Sequence, residues 1–148
     1  GGYEGAATSE LTPLFDADAM ASVWQRVIRQ AANIGQCIVV GRGGQCILQH
    51  RKDVFHVSVY APPAEKVERL RGRHPAGTDL AALIDETDRR RAAYIRRHFG
   101  QDWMKRHLYN LQICSSIGME QVAAAILCAA NLRPDMMGRE PDSSKSIR

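Results

Sequence analysis

The chain has 148 residues, 45% of them hydrophobic, with a net charge of +4. That length and apolar content suit one folded domain and exclude a disordered chain. No apolar run approaches the ~20 residues of a membrane span, and the start has neither the basic nor the apolar part of a signal peptide, so a cytoplasmic protein is expected. Residues 1–13 are small and polar, and residues 133–148 carry Pro134, Gly138, Pro141 and a Ser-rich run; both are expected to be loose ends around a domain at 14–132.

From Asp18 to Ile34, Met20, Val23, Trp24, Val27, Ile28 and Ala31 recur at helical spacing. Asp16 or Asp18 can cap this helix and Gly35 can end it. Cys37 to Val40 is wholly apolar and predicts a strand buried on both faces. The glycine-rich turn Gly41-Arg42-Gly43-Gly44 follows, then one or two helical turns over 45–49. Val54 to Ala61 predicts a second strand, stopped by Pro62-Pro63, and a helix is expected from Ala64 to Arg71 with Val67 and Leu70 inward. Asp79 or Thr78 can cap a long helix that runs to about His98 and ends at Gly100. A third strand is expected over Asn110–Cys114, and a last helix over Met119–Asn131 with Val122, Ile126 and Leu127 facing in. Strands alternating with helices predict an α/β fold with a parallel sheet covered on both faces.

Arginine supplies 16 of the 20 basic residues, and its planar fork suits phosphate and carboxylate oxygens. Between Lys66 and Arg106, eleven basic residues face six acids, a local charge of +5 that exceeds that of the whole chain. An anionic ligand is the natural inference. Aromatic content is only 6% and no base-reading motif occurs, which argues against nucleic acid. Cys37, Cys46, Cys114 and Cys128 form no C-x-x-C and are expected to be small core residues; no His or Cys spacing suits a metal. Ligands of parallel α/β folds sit at the C-terminal ends of the strands. That rule makes Arg42, with Gly41 and Gly43, one candidate site, and Asp88-Arg89-Arg90-Arg91 on the long helix another.

These pieces together resemble the cytidylate kinase-like family. The carriers are the stretch from Cys37 to Leu48, a strand ending in Ala61-Pro62, Ile84-x-x-x-Asp88-Arg-x-Arg91-x-x-Tyr94, Phe99-Gly-Gln-Asp-Trp103, and Tyr109 through Ser115-Ser116. The resemblance implies a three-layer αβα P-loop-kinase fold and phosphoryl transfer from ATP, with Mg²⁺, to CMP or a related nucleotide. It implies that Arg42, with Gly41 and Gly43, holds the acceptor. Asp88, Arg89 and Arg91 would close over the phosphates as catalytic residues, and Ser115 and Ser116 would lie near the ATP base. No residue of the chain itself is expected to ligate a metal, since no His or Cys spacing suits one. The family carries Asp-Gly-Arg-Asp where this chain has Val40-Gly41-Arg42-Gly43, which leaves the acceptor base open. The family also begins with a strand and a G-x-x-x-x-G-K-S/T loop, and no such motif occurs here. The expectation is therefore a fragment that lacks the first strand and phosphate loop and is inactive as it stands. The alternative is a degenerate kinase fold that serves as a binding or regulatory module with an Arg-rich anion-binding surface.

Overall fold

The structure is a computed structural model and describes residues 17–131. The expected loose ends at 1–13 and 133–148, and the Asp16 cap, lie outside the described residues.

The first helix, α1, spans Ala17–Ile34 and ends as its glycine predicts: Gly35 adopts φ 81° and its N–H bonds the Ala31 carbonyl at 3.0 Å. Its inward line is Ala21, Ile28 and Ala32, while Val23 and Val27 are exposed. The short helix α2 (Gly44–Ile47) brings Leu48 against Ile28 and Ala32, and Val39, Ile47 and Val54 complete this first cluster. Helix α3 spans Pro63–Leu70, with the proline in its first turn where a missing N–H is harmless. Helix α4 spans Leu80–Phe99; the Asp79 carboxylate caps it by accepting from the Ala82 N–H at 3.0 Å, and Gly100 (φ 62°) closes it. Helix α5 spans Met119–Asn131. It buries Val122 as expected, but Leu127, read as inward, is 65% exposed.

A second cluster ties α2 to α4. Cys46, Ile95 and Leu108 are buried together, with Tyr94, Phe99, Trp103 and Tyr109 around them. Gly43 sits against this cluster: a Cβ there would lie 2.4 Å from the Phe99 ring, and the residue has φ 75°. Both facts demand glycine, so Gly43→Ala is expected to lower stability by ~2–3 kcal/mol through crowding plus backbone strain, measured by urea unfolding. Among the described residues the Tyr94 hydroxyl is buried without a hydrogen-bond partner. Tyr94→Phe removes that unmet group, so it should raise stability by ~1 kcal/mol in the same measurement.

Two strands pair, β1 (Val57–Tyr60) and β2 (Leu111–Cys114), in parallel with Val57 opposite Leu111 and Tyr60 opposite Cys114. Side chains brace both ends of the pair. At the start, Asn110 Oδ1 accepts from the His56 N–H at 2.8 Å while the Asn110 N–H donates to the His56 carbonyl. At the other end the Ser115 hydroxyl donates to the Tyr60 carbonyl at 3.0 Å.

The strand expected over 37–40 does not form. The segment has no regular secondary structure and pairs with no strand among the described residues, and Ile38 and Val40 are 92% and 86% exposed. Only Val39 turns inward, onto the first cluster. An apolar run becomes a strand only where a neighbour offers a hydrogen-bonding edge, and among the described residues the two-stranded sheet β1–β2 does not extend to this segment. The cysteines also divide: Cys46 is buried, and burial pushes its thiol up, whereas Cys37 and Cys128 are exposed rather than core. The result is a helix-rich α/β fold with a small two-stranded parallel sheet, a coarser architecture than three full layers. Among the described residues no helix is long and apolar enough to cross a membrane.

Candidate functional site

A cleft of about 1180 Å³ lies between the β1–β2 pair and the α3–α4 hairpin. Its floor carries Ser58, Tyr60 and Gln112, and Ser115 lies where β2 ends. Five basic side chains line it, Lys66, Arg69, Arg73, Arg91 and Arg106, against one acid, Asp88. A concave, partly apolar space with a strong excess of one charge is built to hold the opposite charge.

The cations fall into two groups. Three are held in place. The Asp88 carboxylate accepts from Lys66 Nζ at 2.9 Å and from Arg91 Nη1 at 2.6 Å, which ties α3 to α4. The Arg91 guanidinium also lies over the Trp103 ring, 4.8 Å from its centroid, and the Trp103 carbonyl accepts from the Tyr109 hydroxyl at 2.7 Å. Burial of Tyr109 pushes its phenol up, so the hydroxyl stays protonated and able to donate. Arg69 donates to the Ser115 hydroxyl at 2.7 Å and pairs with Glu65 at 3.0 Å. Arg73 and Arg106, in contrast, make no ion pair among the described residues. An incoming anion therefore meets an oriented set and an uncompensated set.

The sequence candidates separate accordingly. Asp88, Arg91 and Ser115 line the cleft. Arg89 does not: it pairs with Glu86 at 3.1 Å on the exposed side of α4, and Arg90 binds the same carboxylate and holds it below its usual range. Arg42 is not brought to the cleft either. Its guanidinium lies over the Trp24 ring of α1, 5.0 Å from the centroid, and its backbone has φ 55° between Gly41 (φ 72°) and Gly43 (φ 75°). Three successive residues with positive φ turn the chain sharply from the 37–40 segment into α2. Ser115 is 3% exposed with its hydroxyl engaged on both sides, and Ser116 bonds Glu65 and Cys114 outside the cleft.

Lys66, Arg69, Arg73 and Arg106 were missed one by one, although all lie in the +5 window. The available signal was the spacing of Lys66 and Arg69, three apart on one face of α3.

Fold and site together define an α/β chain with a cationic cleft at the C-terminal ends of parallel strands. The chain belongs to the cytidylate kinase-like family, whose sequence model matches residues 5–117. It is also similar to the crystal structure of an uncharacterized protein from Eubacterium ventriosum ATCC 27560. That similarity has a TM-score of 0.61 at 18% identity and covers 78% of this chain and 69% of that one; it is a likeness of fold. The described fold fits an α/β kinase-like architecture. No curated protein matches the chain.

Proposed function

We propose that this chain handles a nucleotide phosphate in a cytidylate kinase-like phosphoryl transfer, from ATP to CMP or a related nucleoside monophosphate. The observation that carries the reading is the cleft at the strand ends, with five cations against one doubly paired carboxylate. Phosphoryl transfer is catalysed mainly by positioning and by charge placed around the transferring oxygens. Arg91, braced by Asp88 and Trp103, is suited to grip a phosphoryl oxygen in a fixed direction, and Lys66 stands on the other side of the same carboxylate. Arg73 and Arg106 add attraction from the rim.

In this reading Asp88 orients its two cations and Ser115 orients Arg69, rather than either meeting the nucleotide first. Arg89 and Ser116 contribute only through the exposed flank. Arg42, with Gly41 and Gly43, joins the acceptor only if the turn leaves Trp24. The cleft fits the phosphates of ATP. It does not suit a divalent cation held by protein, because its one carboxylate is already bound by Lys66 and Arg91. Mg²⁺ would travel with the nucleotide's own oxygens.

Calorimetry with CMP, UMP and AMP at low salt tests this. At least one should bind, and its affinity should fall steeply as salt rises, because the attraction is between charges that salt screens. No heat with any of the three overturns it. The regulatory-module alternative is favoured by the same paired carboxylate, which leaves no free carboxylate in the cleft among the described residues. It predicts binding without CDP formation from ATP and CMP by the complete protein.

A further inference from the structure

The cations account for a phosphate, but the floor of the same cleft carries a different kind of group. Ser58 and Gln112 are direct partners in the parallel register, so their side chains rise side by side from one face of the sheet. Neighbouring strands lie ~4.8 Å apart, which places the hydroxyl and the carboxamide within reach of one planar ligand. Both line the cleft, and neither side chain makes a hydrogen bond among the described residues. Around them stand apolar surfaces: Tyr60 on the same face, Trp103, and the exposed methionines Met104 and Met119. An uncharged polar pair between apolar walls is poorly suited to a phosphate, which the arginines serve better. It is well suited to a flat, neutral heterocycle whose faces are apolar and whose edge alternates donors and acceptors.

We infer that Ser58 and Gln112 form the base-reading floor of the cleft, binding the hydrogen-bonding edge of a nucleobase while the arginines hold its phosphate. The inference rests on the nucleotide reading above and adds to it the residues that determine which base is accepted. The Gln112 carboxamide offers one donor and one acceptor side by side, which matches the amino group and ring nitrogen of cytosine or adenine. Ser58 supplies a third bond, with a proton that can turn either way. Met104 and Met119 are unbranched and polarizable and can pack on the ring faces.

The test is calorimetry of CMP and of ribose 5-phosphate, which has the phosphate without the base, on the unmodified chain, Ser58→Ala, Gln112→Met and Arg91→Ala. Gln112→Met keeps the side-chain volume, and Gln112 is solvent-exposed, so the fold should persist; thermal melting of each variant checks this. For the unmodified chain CMP should bind more tightly than ribose 5-phosphate. Gln112→Met should weaken CMP about tenfold and Ser58→Ala about threefold, with ribose 5-phosphate unchanged within about twofold. Unchanged CMP affinity in Gln112→Met, with Arg91→Ala still weakening it, overturns the inference and leaves the phosphate reading standing. Equal affinity of the unmodified chain for the two ligands does the same. Loss of ribose 5-phosphate in Gln112→Met also overturns it, because the residue would then act on the phosphate. Binding of neither ligand to the unmodified chain overturns the inference, and the nucleotide reading falls with it when UMP and AMP also give no heat.

Discussion

Arg91→Ala should weaken nucleoside monophosphate binding about 30-fold, the largest effect expected of any single change in the cleft. Arg91 is held by two independent braces, the Asp88 carboxylate and the Trp103 ring, and unlike Arg69 it is not tied to the buried Ser115. A guanidinium fixed in advance loses little freedom when it grips an oxygen, so its charge-assisted hydrogen bonds are felt nearly in full. Such bonds contribute ~1.5–3 kcal/mol, and ~2 kcal/mol corresponds to about 30-fold in affinity. Removing it also leaves Asp88 with Lys66 alone, so a carboxylate facing the incoming phosphate is less well neutralised. Two controls separate this from a general loss of charge. Arg89→Ala removes a cation from the exposed flank, and Arg42→Ala removes one that rests on Trp24; both should change affinity less than about threefold at physiological salt. Calorimetry on the three variants measures this, and equal losses for all three would mean that net charge, not the braced geometry, holds the ligand.

Ile95→Ala should lower unfolding stability by ~3 kcal/mol. Ile95 is 2% exposed and lies in the cluster with Cys46 and Leu108, where Tyr94, Phe99, Trp103 and Tyr109 pack. Truncating a buried isoleucine loses the transfer energy of its methylenes and leaves a cavity that rigid aromatic neighbours fill poorly. That cluster carries Trp103, the ring beneath Arg91, so loss of packing should reach the cleft as well as the core. Ile38→Ala makes the contrast: Ile38 points into solvent, and its loss should change stability by less than ~0.5 kcal/mol. Urea unfolding of the two variants measures the difference. A cost for Ile95→Ala below ~1 kcal/mol would mean that the cluster carries little of the fold.

The sequence by itself determined the five α-helices of the described residues, the strands around 57–60 and 111–114, and where the positive charge concentrates. These follow from local signals: the spacing of apolar residues, Asp79 as a cap, Pro63 in a first turn, and Gly35 and Gly100 as stops. Each acts within a few residues, so it is written in the chain wherever it occurs. Only the tertiary structure decided that Cys37 to Val40 pairs with no strand among the described residues, because an apolar run does not say whether an edge awaits it. Only the tertiary structure sent Arg42 to Trp24 and Arg89 to Glu86 while bringing Arg73 and Arg106 to the cleft of Arg91. An arginine is long and finds partners across the fold, so its place is set by what packs beside it. The same holds for Ser58 and Gln112, 54 residues apart in the chain, which become neighbours only through the register of one parallel pair.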